Sequence, residues 1–172
     1  MTPKLRVLVS TLAITIALDQ GTKALVDAKI GFPGRVPVLE GFFYITHVRN
    51  PGAAFGLFAQ GPEELRVAFF IAVSLLAALV ILSFFRQLAP GDHTSALGLG
   101  LILGGAIGNL IDRVTRKEVI DFLHFRLWGG RSWPDFNLAD VFIVVGVVIL
   151  LIELLATEAE SRAEDAETET DS

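Results

Sequence analysis

The sequence predicts an α-helical integral membrane protein, with four spans and a small β element lying on the membrane surface. Three observations carry this prediction. Hydrophobic residues make up 52% of the 172, and the mean hydropathy of +0.59 is too high for an ordinary soluble domain. Four apolar segments, near residues 5–26, 67–85, 95–111 and 137–156, have the length of helices that cross a bilayer. Between the first two lies a Gly- and Pro-rich loop containing an aromatic, β-branched stretch.

The first span runs from Leu5 to Val26. Its uncharged part, Val7 to Leu18, is too short to cross alone, so the span takes in Asp19 and Lys23. These lie four apart with the acid first, on one helix face, where they can pair. Lys4 and Arg6 before an apolar run also suit a signal peptide. No small-x-small cleavage pattern follows, so an uncleaved helix is expected. In the loop at 27–64, Phe42 to Val48 reads as a strand and Arg49-Asn50-Pro51-Gly52 as a turn. Ala53 to Phe58 is a candidate returning strand.

Val67 to Phe85 is 19 residues without a charge, flanked by Arg66 and Arg86, and is the clearest span. After a polar link containing Pro90-Gly91, Ser95 to Ile111 forms the third. Gly100, Gly104 and Gly108 put small residues on one of its faces, which lets two helix backbones approach closely. Asn137 to Ala156 is the fourth. One domain, 1–156, is therefore expected, followed by an acidic tail, 157–172. The net charge is −5, and Glu158 to Asp171 alone carry seven acids and one Arg, a balance of −6 that leaves +1 elsewhere. Such a tail is expected to be disordered and solvated. Four spans put both termini on one side. A plain count of Lys and Arg favours that side being outside.

The absence of cysteine excludes disulfides, thiolate nucleophiles and thiolate metal sites. There is no Gly-rich phosphate loop, no metal-spaced His cluster, no nucleophile elbow and no basic, aromatic-interleaved nucleic-acid face. His47, His93 and His124 are scattered, and each is expected at a surface or interface. What remains is acidic: Asp19, Asp112, Asp121 and Asp140, all at span boundaries, where carboxylates are costly and by default functional.

Asp112 is read as the partner of a cation, with Arg113 beside it and Asn109 a turn earlier. Asp121 sits in the apolar frame Val119-Ile120-Asp121-Phe122, where desolvation should raise its pKa. Asn137 and Asp140 have the spacing of a reciprocal helix cap, which would favour an ionised Asp140. Cap and chemical site are both open readings of that pair, and compatible ones. Two carboxyl groups pushed apart in pKa make an acid and a base around a water. The spacing of 19 does not establish that Asp121 and Asp140 meet, although the intervening loop has the glycines to fold back.

Five stretches, in order and interleaved with the four spans, carry a family likeness: LDQGTK (18–23), VRNPGAAFG (48–56), GGAIGNLIDR (104–113), VIDF (119–122) and FNLAD (136–140). Each is weak singly; together they are specific. The chain resembles the lipoprotein signal peptidase (signal peptidase II) family, aspartic endopeptidases of the bacterial inner membrane. The resemblance implies Asp121 and Asp140 as the catalytic pair. It implies supporting roles for Asp19, Lys23, Asn50, Asn109, Asp112, Arg113 and Asn137, with Gly105 at the pocket wall. It also implies an extracytoplasmic sheet, cytoplasmic termini and a site near the outer leaflet. The implied substrate is a prolipoprotein already carrying diacylglycerol, cleaved before the lipidated cysteine, with no metal or organic cofactor. Membrane lipid is the expected surrounding, nucleic acid is not a partner, and a monomer is expected. The alternative from another class is a small transporter or channel subunit using the acids as a proton or ion relay. A purely structural membrane protein with helix-capping acids is the third.

Overall fold

The structure, a computed structural model, describes residues 1–52 and 62–170. Its elements in order are α1 (Pro3–Lys29), β1 (Gly34–Leu39), β2 (Phe43–Asn50), α2 (Glu63–Gln87), α3 (His93–Arg116), β3 (Val119–Phe125) and α4 (Leu138–Thr170). A single 3-10 turn, Trp128–Gly130, lies between β3 and α4.

Among the described residues, three helices are long and apolar enough to cross a membrane: α2, α3 and α4 through Ala163. The mean hydropathy of the most apolar stretch is 2.8 in α2 and α4 but 1.6 in α3, and burial explains the difference. Over half of that stretch in α3 (56%) is buried, against 6% in α2 and 11% in α4. α3 is the central helix, packed against the other three, so it can carry polar groups that a lipid-facing helix cannot. α1 has 27 residues, length enough to span, but Asp19, Gln20 and Lys23 interrupt its second half, and it does not meet the same apolar standard.

The glycine stripe of α3 is a packing device. A Cβ on Gly100 would lie 2.9 Å from Thr11, on Gly104 2.7 Å from Thr15, and on Gly108 2.4 Å from Asp19. Three successive turns of α1 thus lie against three of α3. Gly105 faces the other way, where a Cβ would sit 2.4 Å from the Ala139 carbonyl of α4. Small residues on two faces let α3 hold α1 and α4 at backbone contact.

The sheet has order β1-β2-β3, all antiparallel. The expected strand at Phe42–Val48 is its centre, and it runs on to Asn50. Its partners among the described residues are two other strands. They are β1, whose Pro37 suits an edge position, and β3, which carries Asp121 opposite Val48. Ala53 to Phe58 lie outside the described residues. Phe122, Ile120 and Val26 form a small core that seats the sheet on the bundle.

α4 also differs from expectation. It continues as helix to Thr170 instead of ending at Ala156. Residues 157–163 are exposed, and their helix rests on good helix formers and an i, i+4 bond from Arg162 to Glu158 at 2.5 Å. The helix thus runs on into the acidic stretch, whose residues 157–163 face solvent. His47 lies at an interface inside the protein: it is buried (1% exposed), with Nδ1 donating to the Ile30 carbonyl at 2.7 Å at the junction between α1 and β2.

Candidate active site at the start of the fourth helix

The site lies where the sheet meets the end of α3 and the beginning of α4. After β3 the chain turns back, and Phe136 pairs with Leu123 through Leu123 N–H to Phe136 O at 2.8 Å and Phe136 N–H to Leu123 O at 3.2 Å. That pairing sets Asn137 across from Asp121. Asn137 then caps α4 reciprocally: its Oδ1 accepts from Asp140 N–H at 3.1 Å, and its own N–H donates to Asp140 Oδ2 at 3.1 Å. Its side-chain amide donates to Asp121 Oδ1 at 2.6 Å. One residue therefore bonds to both carboxyl groups, and the cap and the candidate site are the same structure.

Each carboxyl group has a second amide of its own. Asn50, at the end of β2, donates to Asp121 Oδ2 at 2.9 Å. Asn109, on α3, donates to Asp140 Oδ1 at 2.9 Å. Asp121 is 2% exposed. Burial pushes its carboxyl up to about 6 from the usual 3.8, and the neighbouring Asp140 pushes the same way. The Asn50 and Asn137 amides, and Lys23 more distantly, oppose the rise by favouring the ionised form.

Behind this pair lies a second, fully buried cluster. Lys23 Nζ is 2.9 Å from Asp19 Oδ2, 2.9 Å from Asp112 Oδ2 and 2.9 Å from Asn109 Oδ1. Asp19 Oδ1 accepts from the Ala139 N–H of α4 at 3.0 Å. Asn109 Oδ1 also accepts from Asn137 at 3.2 Å, so the two clusters join through two asparagines. The expected i, i+4 pairing of Asp19 and Lys23 is present. The expected partner of Asp112 is not Arg113. Asp112 pairs with Lys23 and, at 2.8 Å, with Arg116. Successive residues of a helix point about 100° apart, whereas i, i+4 residues share a face. Arg113 instead donates to the Asn109 carbonyl at 3.1 Å and lies over the Phe70 ring of α2, 4.8 Å from its centroid.

All ten residues singled out from the sequence thus fall in one region, Gly105 as the α3–α4 contact one turn before Asn109. Two neighbours were missed. Arg116 was legible from its i, i+4 spacing to Asp112. Gln20, which donates to Asp112 Oδ1 at 3.2 Å and to the Gly108 carbonyl at 3.0 Å, had no such signal. Among the described residues no group of His, Cys, Asp and Glu could hold a metal ion. A cleft of about 270 Å³, lined by Trp133, Phe136, Asp140, Val141, Val144 and Val145, opens beside Asp140. A larger one of about 400 Å³ lies at the far end of the bundle, between Phe84, Leu99, Leu150 and Glu153, and touches none of these polar residues.

Residues 11–156 match the family model described as signal peptidase (SPase) II. The lipoprotein signal peptidase of Desulforapulum autotrophicum is 47% identical over 148 residues, 86% of this chain and 90% of that protein. The lipoprotein signal peptidase of Geobacter sulfurreducens is 43% identical over 92% of this chain and 97% of its own. Among solved structures, a bacterial membrane enzyme determined at 2.3 Å superposes with a TM-score of 0.77 at 28% identity, covering 89% of this chain and 90% of that one. A match over most of the chain, at this identity and with this fold, places the protein in the signal peptidase II family, the lipoprotein signal peptidases.

Proposed function

We propose that this protein is an aspartic endopeptidase that removes the signal peptide from diacylglyceryl-modified prolipoproteins, cutting just before the lipidated cysteine. The single observation that carries the reading is Asn137 bonded to both Asp121 and Asp140, in a chain of this family. In the proposed mechanism Asp140 is ionised and Asp121 protonated. Each carboxyl group accepts from two N–H donors, but Asp140 sits at the positive start of α4 beside a cleft, whereas Asp121 is desolvated on β3. Asp140 takes a proton from a water as its oxygen attacks the scissile carbonyl, and Asp121 gives its proton to the carbonyl oxygen. Collapse of the tetrahedral intermediate returns that proton to Asp121, and the proton on Asp140 passes to the leaving amine. The products are a signal peptide with a free carboxylate and a lipidated cysteine with a free amino group. No metal or organic cofactor takes part.

In this reading Lys23, Asp19 and Asp112 hold α1, α3 and α4 in register, Arg113 and Asn50 border the pocket, and the chain acts as a monomer. The domain ends near residue 156, and the acidic helix beyond it is dispensable for chemistry. α1 is the fourth span, the protein lies in the bacterial inner membrane, the sheet faces outward, and both termini are cytoplasmic. A lipid-modified cysteine presents its scissile bond at headgroup level, where the start of α4 would lie. The family match leaves a transporter or ion-relay role without support.

The test is purified protein in detergent with a synthetic diacylglyceryl prolipoprotein peptide. Release of one free signal peptide, cut before the lipidated cysteine, is expected. Intact peptide after prolonged incubation with folded protein would overturn the reading.

A further inference from the structure

The chain has two tryptophans, Trp128 and Trp133, and both stand at one outer edge of the sheet. Trp128 is 90% exposed and Trp133 58%. This is not a loose end. Leu127 N–H donates to the Arg131 carbonyl at 2.7 Å, Trp133 N–H to Phe125 O at 2.9 Å, and Arg126 N–H to Phe42 O at 2.7 Å. Gly129 and Gly130 close the turn at φ of +68° and +77°, a backbone conformation that side-chain-bearing residues rarely adopt. The turn holds an indole away from the protein by construction. Phe42 lies beside Trp128, and Phe42, Leu39 and Val38 at the end of β1 and the β1–β2 turn are exposed.

Two further observations say what covers this edge. The first is continuity. The cleft beside Asp140 runs from Val144 and Val145, on the outer flank of α4, up to Phe136 and Trp133, so the edge prolongs the lipid-facing surface of a membrane helix. The second is charge. Arg126 and Arg131 sit in the turn, and neither has a carboxylate within ion-pair distance among the described residues. Arg126 lines a second cleft of about 310 Å³ with Gly41, Phe42, Leu127 and Trp128. The nearby acids are Glu40, exposed at the β1–β2 turn, and Asp135, which is engaged by Thr46 and His124. Indole rings with arginines beside a span are the composition of a membrane–water interface.

We propose that residues 126–133, together with the β1–β2 turn, form a docking edge for the bilayer surface. Trp128 and Trp133 enter the headgroup region, and Arg126 and Arg131 bind the phosphates of anionic phospholipids. The edge fixes the height of β3, whose Phe125 leads directly into Arg126 and whose other end carries Asp121. The inference rests on α4 as a membrane span and is independent of the peptidase reading, since its readout involves no turnover.

The test uses full-length protein in phosphatidylcholine vesicles whose acyl chains are brominated near the headgroup. The single-tryptophan variant Trp133→Phe reports on Trp128 alone, and Trp128→Phe on Trp133. Each is expected to emit at shorter wavelength than an indole in water and to lose about half its emission to brominated lipid. Replacing half the phosphatidylcholine by phosphatidylglycerol deepens the quenching, and the double variant Arg126→Gln/Arg131→Gln abolishes that increment. Emission from Trp128 at the wavelength of a hydrated indole, quenched by acrylamide and untouched by brominated lipid, overturns the proposal. An undiminished phosphatidylglycerol effect in the folded arginine variant overturns the role of the two arginines.

Discussion

The chain uses the same short pattern twice, Asn-x-x-Asp, and the two copies become different things. In Asn109–Asp112 the pattern lies in the second half of a buried helix. There the backbone amides are already used by the helix, so both side chains find other partners: Asp112 pairs with Lys23 of α1 and with Arg116 one turn on in α3 itself, and Asn109 bonds to Lys23 and Asp140. In Asn137–Asp140 the pattern opens a helix, where free N–H groups await partners, and the two residues first bond each other. The first copy neutralises a buried ammonium and fastens three helices. The second leaves a carboxylate at the bundle surface, beside a cleft and next to Asp121. Position along a helix, not residue type, separates a structural acid from a candidate reactive one.

The largest expected effect tests that separation directly. Asp121→Asn and Asp140→Asn should each lower turnover of the lipidated precursor by at least ~10³-fold, because a proton-sharing pair needs both members. Folded protein retaining near wild-type turnover would sink the catalytic assignment. Asp112→Asn should instead act mainly on stability, by about 3 kcal/mol, because it removes one of two carboxylates around a buried Lys23. Chemical denaturation in detergent reads this. A stable Asp112→Asn protein as inactive as Asp121→Asn would erase the distinction drawn here.

The pH dependence of stability sharpens the comparison. Asp121 is raised from 3.8 to about 6 on folding, so between those values the folded state binds more protons than the unfolded one. Its contribution is fully present below about pH 4 and is lost as pH rises through 6. The stability of wild type relative to Asp121→Asn should therefore fall across pH 4 to 7, by up to about 3 kcal/mol. A flat difference across that range would mean that Asp121 is not desolvated. For activity, kcat/KM of the free enzyme should decline on the alkaline side with a midpoint near 6, reporting the coupled pair and not one residue.

Asn137→Ala should cost about 1–2 kcal/mol from the lost cap and reduce turnover through both carboxyl groups at once. If only stability changes, the cap and the site are separable. The smallest effect is expected from deleting 158–172, which should leave turnover within a few-fold of wild type in the same peptide assay. A larger loss with normal insertion would show that the exposed end of α4 contributes to the reaction.

The helices were legible because length and lack of charge suffice: the uncharged run Val67–Phe85 sits inside α2, with the ends a few residues further out. The sheet was half legible. Phe43–Asn50 announces itself by aromatic and β-branched residues. Pro37 masks β1, and β3 is seven residues in which Asp121 and His124 interrupt the apolar alternation. The meeting of Asp121 and Asp140 was not legible from spacing at all. It depends on the backbone pairing of Phe136 with Leu123, which no local pattern encodes. Arg113 was assigned to Asp112 because adjacency in sequence was read as adjacency in space.

The two carboxyl groups belong to different bodies, Asp121 to a sheet strand and Asp140 to the first turn of a membrane helix, with Asn137 as the strut between them. A helix longer than the local hydrocarbon thickness tilts, and one that is shorter thins the bilayer around it. On the proposed reading, in which the sheet lies among the headgroups, a change in the tilt of α4 swings Asp140 about that strut. On that reading the separation on which the proposed shared-proton chemistry depends is tied to acyl-chain length. Turnover measured in vesicles of graded thickness should pass through a maximum, and a response that is flat across the series would mean that the strut holds the pair rigid.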